Sequence, residues 1–548
     1  MLHGRRSCSA TLPKGAHVLR LSALASAVLV VLGLLSVPTA TQAPATAAGG
    51  TISWRACSDP ELDYLGLECG SLAVPLDHDH PTGPTIRLAL TRRAHTSATY
   101  NGALLVNPGG PGGSGLSMPS LSDYVPGDVG STYDWIGFDP RGVGASSPSL
   151  HCSRRFFTWN RPSYVPKSPA ITRAWLGRSR AYAAACANTA AKRSLLRHLT
   201  TLDTVRDMDL IRQALGADKI SYYGFSYGTY LGEVYATRYP NRVGRVVLDG
   251  VVNPSRVWYA ANLDQDRAFD ANMNVFWRYV ARHPGAFHLG KRWRAIRAGY
   301  YKELKRLDRV PAAHGRLGPD ELADAMLDAG YYVYNWVDLG LAYSALVRKH
   351  RGGTLAALYR DANMGDDNSF ATYNAVQCSD VAWPSWARTR VSSWAVHRRA
   401  PFLTWGNTWY NAPCLAWKAP AHRRLGVTGS AVSSKILLIS ETRDAATPYS
   451  GALAVRRLFP SASLVAGING TTHASSLSGV PCVDNTVGNY LRTGLVPTRL
   501  AGNRADRRCS RLLPPSPNGI WGRTTTPTGQ DRLSPLLRHA LLSAQRHR

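Results

Sequence analysis

A serine stands between two glycines in the sequence Gly-Phe-Ser-Tyr-Gly at positions 224–228. Residues 219–223 favour a β-strand, and residues 227–239 are compatible with a helix. A sharp turn between a strand and a helix presents a serine hydroxyl as a nucleophile, and glycines two positions away leave room for the strained backbone. The pattern therefore predicts that Ser226 is a nucleophile. An ordinary glycine-serine turn is the alternative.

A serine hydroxyl is a weak nucleophile unless a base takes its proton. On folds with this turn, an acid and then a histidine follow the serine along the chain. Asp444 follows one strand-like run and His473 follows the next, 29 residues later, which accommodates one helix and one strand. We predict that His473 is the general base and that Asp444 fixes its tautomer. The alternatives are a solvated loop histidine, a helix cap at Asp444, and Glu441 as the acid.

A glycine-rich segment at residues 107–115 follows another strand-like run. It lacks the Gly-Lys-Ser/Thr of a phosphate-binding loop, and its two prolines argue against a dinucleotide site. Glycines let backbone N–H groups approach a substrate carbonyl closely, so we predict an oxyanion hole formed by the N–H groups of Gly110 and Tyr227. A structural glycine turn is the alternative. Asp139 and Arg141 are expected to hold the loops near the site together.

The elements that must position these residues follow from the hydrophobic pattern. Strand-like runs alternate with helical spacing up to about residue 252 and again after about residue 420, which predicts a mostly parallel sheet covered by helices on both faces. Because the carboxyl ends of parallel strands meet at one edge, the three side chains would converge there. Aromatic and alanine-rich helical patterns dominate between the two parts and predict a helical insertion.

Five segments are predicted from these patterns. They are a signal peptide, the first part of an α/β core, a helical cap domain, the second part of the core, and a basic tail, at 1–48, 49–252, 253–420, 421–512 and 513–548.

The amino-terminal segment has a basic leader, an apolar run from 21 to 37, and small residues after it. This order is typical of a secretory signal peptide. The apolar run is slightly shorter than the ~20 residues that a helix needs to span a membrane. A membrane anchor is the alternative. We therefore expect a secreted protein, and no later segment predicts an integral membrane partner.

The cysteine count also fits export. The chain has nine cysteines, and removal of Cys8 with the signal peptide leaves an even number. An even count in an exported protein favours disulfides. Eight cysteines allow about a hundred pairings, so connectivity stays open. Sequence proximity favours Cys57–Cys69, Cys152–Cys186, Cys378–Cys414 and Cys482–Cys509.

The net charge of +29 predicts non-specific binding to anionic polymers such as those of a cell wall. The cations are spread along the chain without a nucleic-acid-binding motif, so nucleic acid is not an expected partner. No Cys-x-x-Cys pair is present, and the short His-Asp-His sequence at 78–80 has no third ligand in view. Neither a metal nor a cofactor is therefore expected.

Taken together, these motifs resemble those of the secreted bacterial tripeptidyl aminopeptidases and the related proline iminopeptidases. The resemblance spans roughly residues 53 to 510. Its carriers include the segments at 107–115, 138–142, 200–207, 224–229 and 248–251, the cysteines at 57, 69, 378 and 482, and the residues around 380, 444 and 490.

The resemblance implies an α/β-hydrolase fold with a helical cap, and cofactor-free hydrolysis of peptide bonds near a free N-terminus. An acid on or near the cap would bind the substrate amino group, and Asp380 is the candidate. The chain departs from the family at Thr472 and Ala474, where glycine is common beside the histidine. A secreted esterase or lipase with the same triad, and a non-catalytic binding protein on the same fold, are the alternative functions.

Overall fold

The computed structural model describes residues 50–365 and 367–517. The predicted signal peptide, and the part of the predicted tail from 518 onward, lie outside these residues.

Ten strands of the described chain form one sheet in the order β1-β2-β3-β5-β4-β6-β7-β8-β9-β10. Neighbours are antiparallel from β1 to β5 in this order and parallel from β5 to β10, which confirms the predicted mostly parallel sheet. The strands are β1 (Arg55–Ala56), β2 (Glu68–Pro75), β3 (Thr85–Arg93), β4 (Ala103–Asn107), β5 (Asp134–Phe138), β6 (Ile220–Phe225), β7 (Val243–Asp249), β8 (Ile436–Glu441), β9 (Ala462–Ile468) and β10 (Arg507–Ser510).

The order of the strands determines where a site can form. The chain runs outward from β4 to β5 and then returns to place β6 on the other side of β4. The loops that follow β4 and β6 therefore leave the sheet in different directions and open a crevice at the carboxyl ends, where ligands bind in such sheets. The central strands β4, β6 and β8 are buried along their whole length, as expected where helices cover both faces.

Sixteen α-helices lie in the described part of the chain. They are α1 (Pro60–Tyr64), α2 (Pro169–Cys186), α3 (Ala190–Leu196), α4 (Thr201–Ala214), α5 (Tyr227–Arg238), α6 (Tyr259–Arg282), α7 (Pro284–Phe287), α8 (Trp293–Leu307), α9 (Pro319–Tyr331), α10 (Trp336–Lys349), α11 (Gly353–Asn363), α12 (Asn368–Asp380), α13 (Trp386–His397), α14 (Thr404–Tyr410), α15 (Ser450–Leu458) and α16 (Pro481–Thr493). Short 3₁₀ helices cover Met118–Tyr124, Pro126–Thr132, Pro240–Arg242, Val333–Asn335 and Ala412–Ala416. None of these described helices is both long and apolar enough to cross a membrane.

Helices α6 to α14 occupy the chain between β7 and β8, where the helical insertion is predicted. The insertion shares a core with the sheet: Phe269 and Met273 of α6 belong to the same buried apolar cluster as Val106 of β4 and Tyr223 of β6. A second cluster on the other side of the sheet contains Met208 of α4 and Leu231 of α5. The assignment of 253–420 as a separate cap domain, with its boundaries, stays a prediction.

All four predicted cysteine pairs are disulfides in the structure. The bridges join residues 12, 34, 36 and 27 positions apart, in chain order. Cys482–Cys509 joins α16 to β10, and Cys378–Cys414 joins α12 to the 3₁₀ helix that closes the insertion. Each bridge therefore connects segments that are separate in the chain and restricts the unfolded state.

We expect reduction to lower the melting temperature, because a native disulfide typically contributes about 2–5 kcal/mol. Thermal unfolding with and without dithiothreitol measures the total effect. The double variant Cys482→Ser/Cys509→Ser, unfolded without reductant, should show only part of the decrease. A melting temperature that dithiothreitol leaves unchanged would contradict a structural contribution from the bridges.

Candidate active site

Ser226 lies at the sharp turn between β6 and α5. Its backbone has φ 54° and ψ −124°, a positive φ that is strained for any residue with a side chain. Its N–H donates to the carbonyl of Asp249 on β7 at 3.0 Å. A Cβ on Gly224 would lie 2.4 Å from the Gly228 carbonyl oxygen, and a Cβ on Gly228 would lie 2.7 Å from the Asn107 carbonyl oxygen. The predicted strained turn and its need for two glycines are confirmed.

The glycine-rich loop after β4 packs directly against this turn. Gly109 has φ 98°, and a Cβ there would lie 2.9 Å from both the Cβ of Ser226 and the backbone nitrogen of Tyr227. Gly110 follows and lines the same cavity as Ser226 and Tyr227. Only glycine lets the loop approach so closely. As a result, Gly110 and Tyr227, the two predicted oxyanion donors, lie in the same cavity as the serine.

Asp139 holds this loop from behind, as predicted. Its carboxylate accepts hydrogen bonds from the Ser114 hydroxyl at 2.6 Å and from the Gly115 N–H at 3.0 Å. Burial raises the pKa of Asp139 to about 6, against the effect of these donors. Arg141 forms a buried ion pair with Asp207 at 2.7 Å and so joins the loop after β5 to α4.

His473 and Asp444 form a buried hydrogen-bonded pair. His473 Nδ1 lies 2.8 Å from Asp444 Oδ2, and each residue is at most 2% exposed. The other oxygen, Oδ1, accepts from the N–H groups of Ala446 and Thr447 at 2.9 and 3.0 Å. An oriented carboxylate on Nδ1 selects the tautomer that leaves Nε2 able to accept a proton.

The imidazole lies close to the end of β7, the strand next to β6, which leads into the serine turn. A Cβ on Gly250, next to Asp249, would lie 2.8 Å from His473 Cε1. His473 Nε2 is buried without a hydrogen-bond partner among the described residues, so a Ser226–His473 hydrogen bond is not in place. In unliganded enzymes such a bond is often long and tightens only when substrate is bound.

A cavity opens beside Ser226, between the sheet and the insertion. Gly110, Tyr227 and Thr447 line it from the sheet side. The residues that line it from the insertion are mostly polar, and three of them carry a side-chain amide. They are Arg256, Trp258, Ala261, Asn262, Asp264, Gln265 and Gln377. Asp264 is its one acidic lining residue within the described chain.

Asp380 lies behind this wall and is absent from the residues that line the cavity. Its carboxylate accepts from the Thr201 N–H and hydroxyl at 2.8 and 2.6 Å, and from Trp258 Nε1 at 3.0 Å. Thr201 is also hydrogen-bonded to the Tyr227 hydroxyl at 2.9 Å. Asp380 therefore bonds to Thr201 and to Trp258, and Trp258 lines the cavity. Its predicted contact with a substrate amino group stays a prediction.

Two residues to which the sequence analysis assigned no role in the site support the pair. The Thr447 hydroxyl donates to Asp444 Oδ2 at 2.8 Å and lies 3.3 Å from His473 Nδ1. Asp249 accepts from the Ser476 N–H at 2.7 Å, three residues after the histidine, and burial raises its pKa to about 6. Proximity in sequence to Asp444 was the one available signal for Thr447, whereas Asp249 is distant in sequence from both members of the pair.

Glu441, the rival acid, does not contact His473. Its Oε1 accepts weakly from the Leu512 N–H at 3.4 Å, and its Oε2 is buried without a hydrogen-bond partner among the described residues. Burial raises the pKa of Glu441 to about 8. The hydrogen bond to His473 identifies Asp444, rather than Glu441, as the carboxylate beside the imidazole.

Two family descriptions match the chain. Residues 102–337 match the alpha/beta hydrolase fold, and residues 400–509 match the TAP-like protein family. The two matched regions include the segments that carry Ser226, Asp444 and His473.

Curated relatives match over most of their length. Tripeptidyl aminopeptidase of Streptomyces lividans is 37% identical over 472 residues, which cover 83% of this chain and 87% of the relative. Serine protease Hip1 of Mycobacterium tuberculosis is 30% identical, over 82% of this chain and 90% of the relative. Carboxylesterase B of the same organism is 32% identical, over 81% and 88%.

We expect Glu441→Gln to stabilise the protein increasingly as pH rises. The folded state holds the Glu441 proton up to about pH 8, whereas an exposed glutamate loses it near its ordinary pKa of 4.5. The wild type therefore loses stability progressively between these two pH values, and the amide does not. Urea unfolding of both proteins from pH 5 to 9 measures the difference.

The matched control is Glu68→Gln, which removes the same charge from a partly exposed strand residue. If the Glu441→Gln and wild-type stabilities run parallel across this range, Glu441 does not keep its proton in the folded state.

Proposed function

This chain belongs to the tripeptidyl aminopeptidase family of α/β-hydrolases, and from that membership we propose that it releases short peptides from free N-termini with Ser226, His473 and Asp444 as its catalytic triad. Peptides are the substrates that the names of its aminopeptidase relatives imply. The observation that carries the triad assignment is the buried His473–Asp444 pair. Its imidazole lies beside Gly250 at the end of β7, the strand next to β6, which leads into the strained serine.

In the proposed reaction, Ser226 Oγ attacks the carbonyl carbon of the scissile peptide bond while His473 Nε2 takes the hydroxyl proton. Asp444 stabilises the imidazolium that forms. The carbonyl oxygen becomes an oxyanion and accepts hydrogen bonds from the N–H groups of Gly110 and Tyr227, a type of contact worth about 10²–10³ in rate.

The imidazolium then gives its proton to the leaving nitrogen, and the C–N bond breaks. The N-terminal fragment stays esterified to Ser226, and the remaining peptide leaves with a new amino terminus. Water attacks the ester with the same imidazole as base, which releases the fragment as a carboxylic acid and restores the serine.

The cavity wall suits a peptide backbone. Asn262 and Gln377 bond to each other at 3.1 Å, and Gln265 donates to the Ala446 carbonyl at 2.6 Å, so amide groups are held in place along the wall. Such groups can pair with substrate N–H and C=O groups, which would otherwise be buried at a cost. Asp264 lines the same wall and is the candidate acid for a substrate ammonium, although its carboxylate also pairs with Arg256 and Arg267. Asp380 would act on the site through Trp258.

We also propose that the mature protein is secreted. The basic and apolar leader predicted at 1–48 supports export, as do four disulfides, which persist in oxidising compartments. The net charge of +29 would then favour non-specific binding to anionic polymers outside the cell.

Ester hydrolysis is the second candidate function, because one relative is named Carboxylesterase B. The same triad can cleave either bond. Tripeptidyl and longer peptide substrates compared with p-nitrophenyl esters will separate the two. Turnover of esters alone would assign the esterase function instead.

We expect Ser226→Ala and His473→Ala each to lower kcat on a tripeptide-releasing substrate by about 10⁴-fold or more, as removal of a triad member does in serine hydrolases. Labelling with a fluorophosphonate probe should occur in the wild type and disappear in Ser226→Ala. Circular dichroism must show that each variant is folded, particularly for His473, which is buried. A folded His473→Ala variant with activity within about tenfold of wild type would contradict its role as base.

We expect Asp264→Asn to raise KM for substrates with a free N-terminus and to change kcat less, because a contact to the amino group binds substrate and transition state alike. N-acetylated substrates should show no such difference between the variant and the wild type. Asp380→Asn is the comparison for the residue behind the wall. A larger KM effect at Asp380 than at Asp264 would reverse the assignment.

A further inference from the structure

A second cavity, of about 360 Å³, lies between the insertion and the loops that follow β8, β9 and β10. It shares no lining residue with the cavity beside Ser226. Its floor is apolar and includes Val333, Trp336 and Leu512, each buried. The mechanism proposed above uses none of the residues that line it.

Within the described chain, five cations line this cavity, and all five are exposed residues: Arg278, Arg282, Lys291, Arg443 and Arg511. No aspartate or glutamate of the described chain lines it, and none of the five takes part in an ion pair there. They come from three parts of the fold that are far apart in sequence. Like charges that lie close together without a counter-charge repel one another, and a bound anion would relieve that repulsion.

Neighbouring groups add a ring contact and hydrogen-bond donors to these exposed cations. The Arg278 guanidinium lies 4.5 Å from the centre of the Trp293 ring, a cation–π contact that restricts its position at the edge. Asn469 and Thr471 add side chains that can donate hydrogen bonds to oxygen. Asn469 is held in a positive-φ conformation, and its N–H donates to the Thr442 hydroxyl at 2.7 Å.

We propose that this cavity binds a small oligophosphate anion. Four of the five cations are arginines, whose planar guanidinium groups bind phosphate through paired hydrogen bonds. Phosphate groups linked in a short chain supply several negative charges within the available volume, more than a carboxylate ligand of the same size. The volume fits a small molecule rather than a folded polymer segment.

The bound anion would bridge two parts of the fold. Arg278, Arg282 and Lys291 belong to the insertion, whereas Arg443 and Arg511 follow strands of the sheet. Arg443 directly precedes Asp444, and Thr471 lies two residues before His473. An occupied site would therefore hold the insertion against the loops that carry the proposed acid and base.

Isothermal titration of the full mature chain with inorganic tripolyphosphate, at about 0.15 M ionic strength to screen general attraction, tests the proposal. We expect saturable binding of one ligand per chain. Arg282→Gln/Lys291→Gln should weaken it by about tenfold or more, and Arg278→Lys, which keeps the charge but loses the planar fork, should weaken it less.

The matched control is Arg348→Gln/Lys349→Gln, which removes the same charge from exposed positions at the end of α10. Equal weakening by the control pair would show non-specific attraction to the net charge and overturn the proposal. Citrate that binds as tightly as tripolyphosphate would overturn the assignment to phosphate. Binding of long-chain polyphosphate without binding of tripolyphosphate would overturn the assignment to a small ligand.

A second measurement needs no titration. Tripolyphosphate should raise the melting temperature of the wild type and of the control pair, because a ligand that binds only the folded state stabilises it. The increase should be lost in Arg282→Gln/Lys291→Gln. Both measurements are independent of peptide hydrolysis, so their outcome is separate from that of the proposed function.

Discussion

The backbone of Ser226 is held at positive φ by the segments packed around it. Its N–H donates to a β7 carbonyl, and the loop after β4 approaches its Cβ. The surrounding backbone leaves no space for a side chain at either glycine of the turn. Strain of this kind persists only where the surrounding structure enforces it. The parallel strands β4, β6 and β7 supply that enforcement, and the crevice between their loops becomes the place where a carbonyl carbon can reach the hydroxyl.

Several buried carboxylates around this turn accept hydrogen bonds from local donors. Asp444 has two backbone donors, a hydroxyl and an imidazole, whereas Asp139 and Asp380 bind the loops and walls on either side. At Glu441, burial outweighs the hydrogen bonds that the carboxylate accepts and raises its pKa to about 8. Local hydrogen bonding thus distinguishes Asp444, which contacts the imidazole, from Glu441, its near neighbour in sequence.

The local patterns of the sequence predict the fold well because each depends on a few adjacent residues. The turn at Ser226, the strands beside it and the nearby cysteine pairs are of this kind. The position of Asp380 could not be predicted, since it depends on how α12 packs against Thr201 and Trp258, which are distant in the chain. For the same reason the burial of His473 and the convergence of five cations from three segments became visible only in three dimensions.

The backbone N–H of His473 donates to the carbonyl of Tyr331 at 2.9 Å, the last residue of α9 in the insertion. The loop that carries the imidazole is therefore held by the insertion as well as by the sheet. An excised sheet scaffold would lose that anchor. Chimaeras that exchange the insertion among relatives to alter selectivity must therefore keep a carbonyl at the end of α9 that accepts from the His473 N–H. Without it, the loop that carries His473 would lose one of its hydrogen bonds when the cavity wall is exchanged.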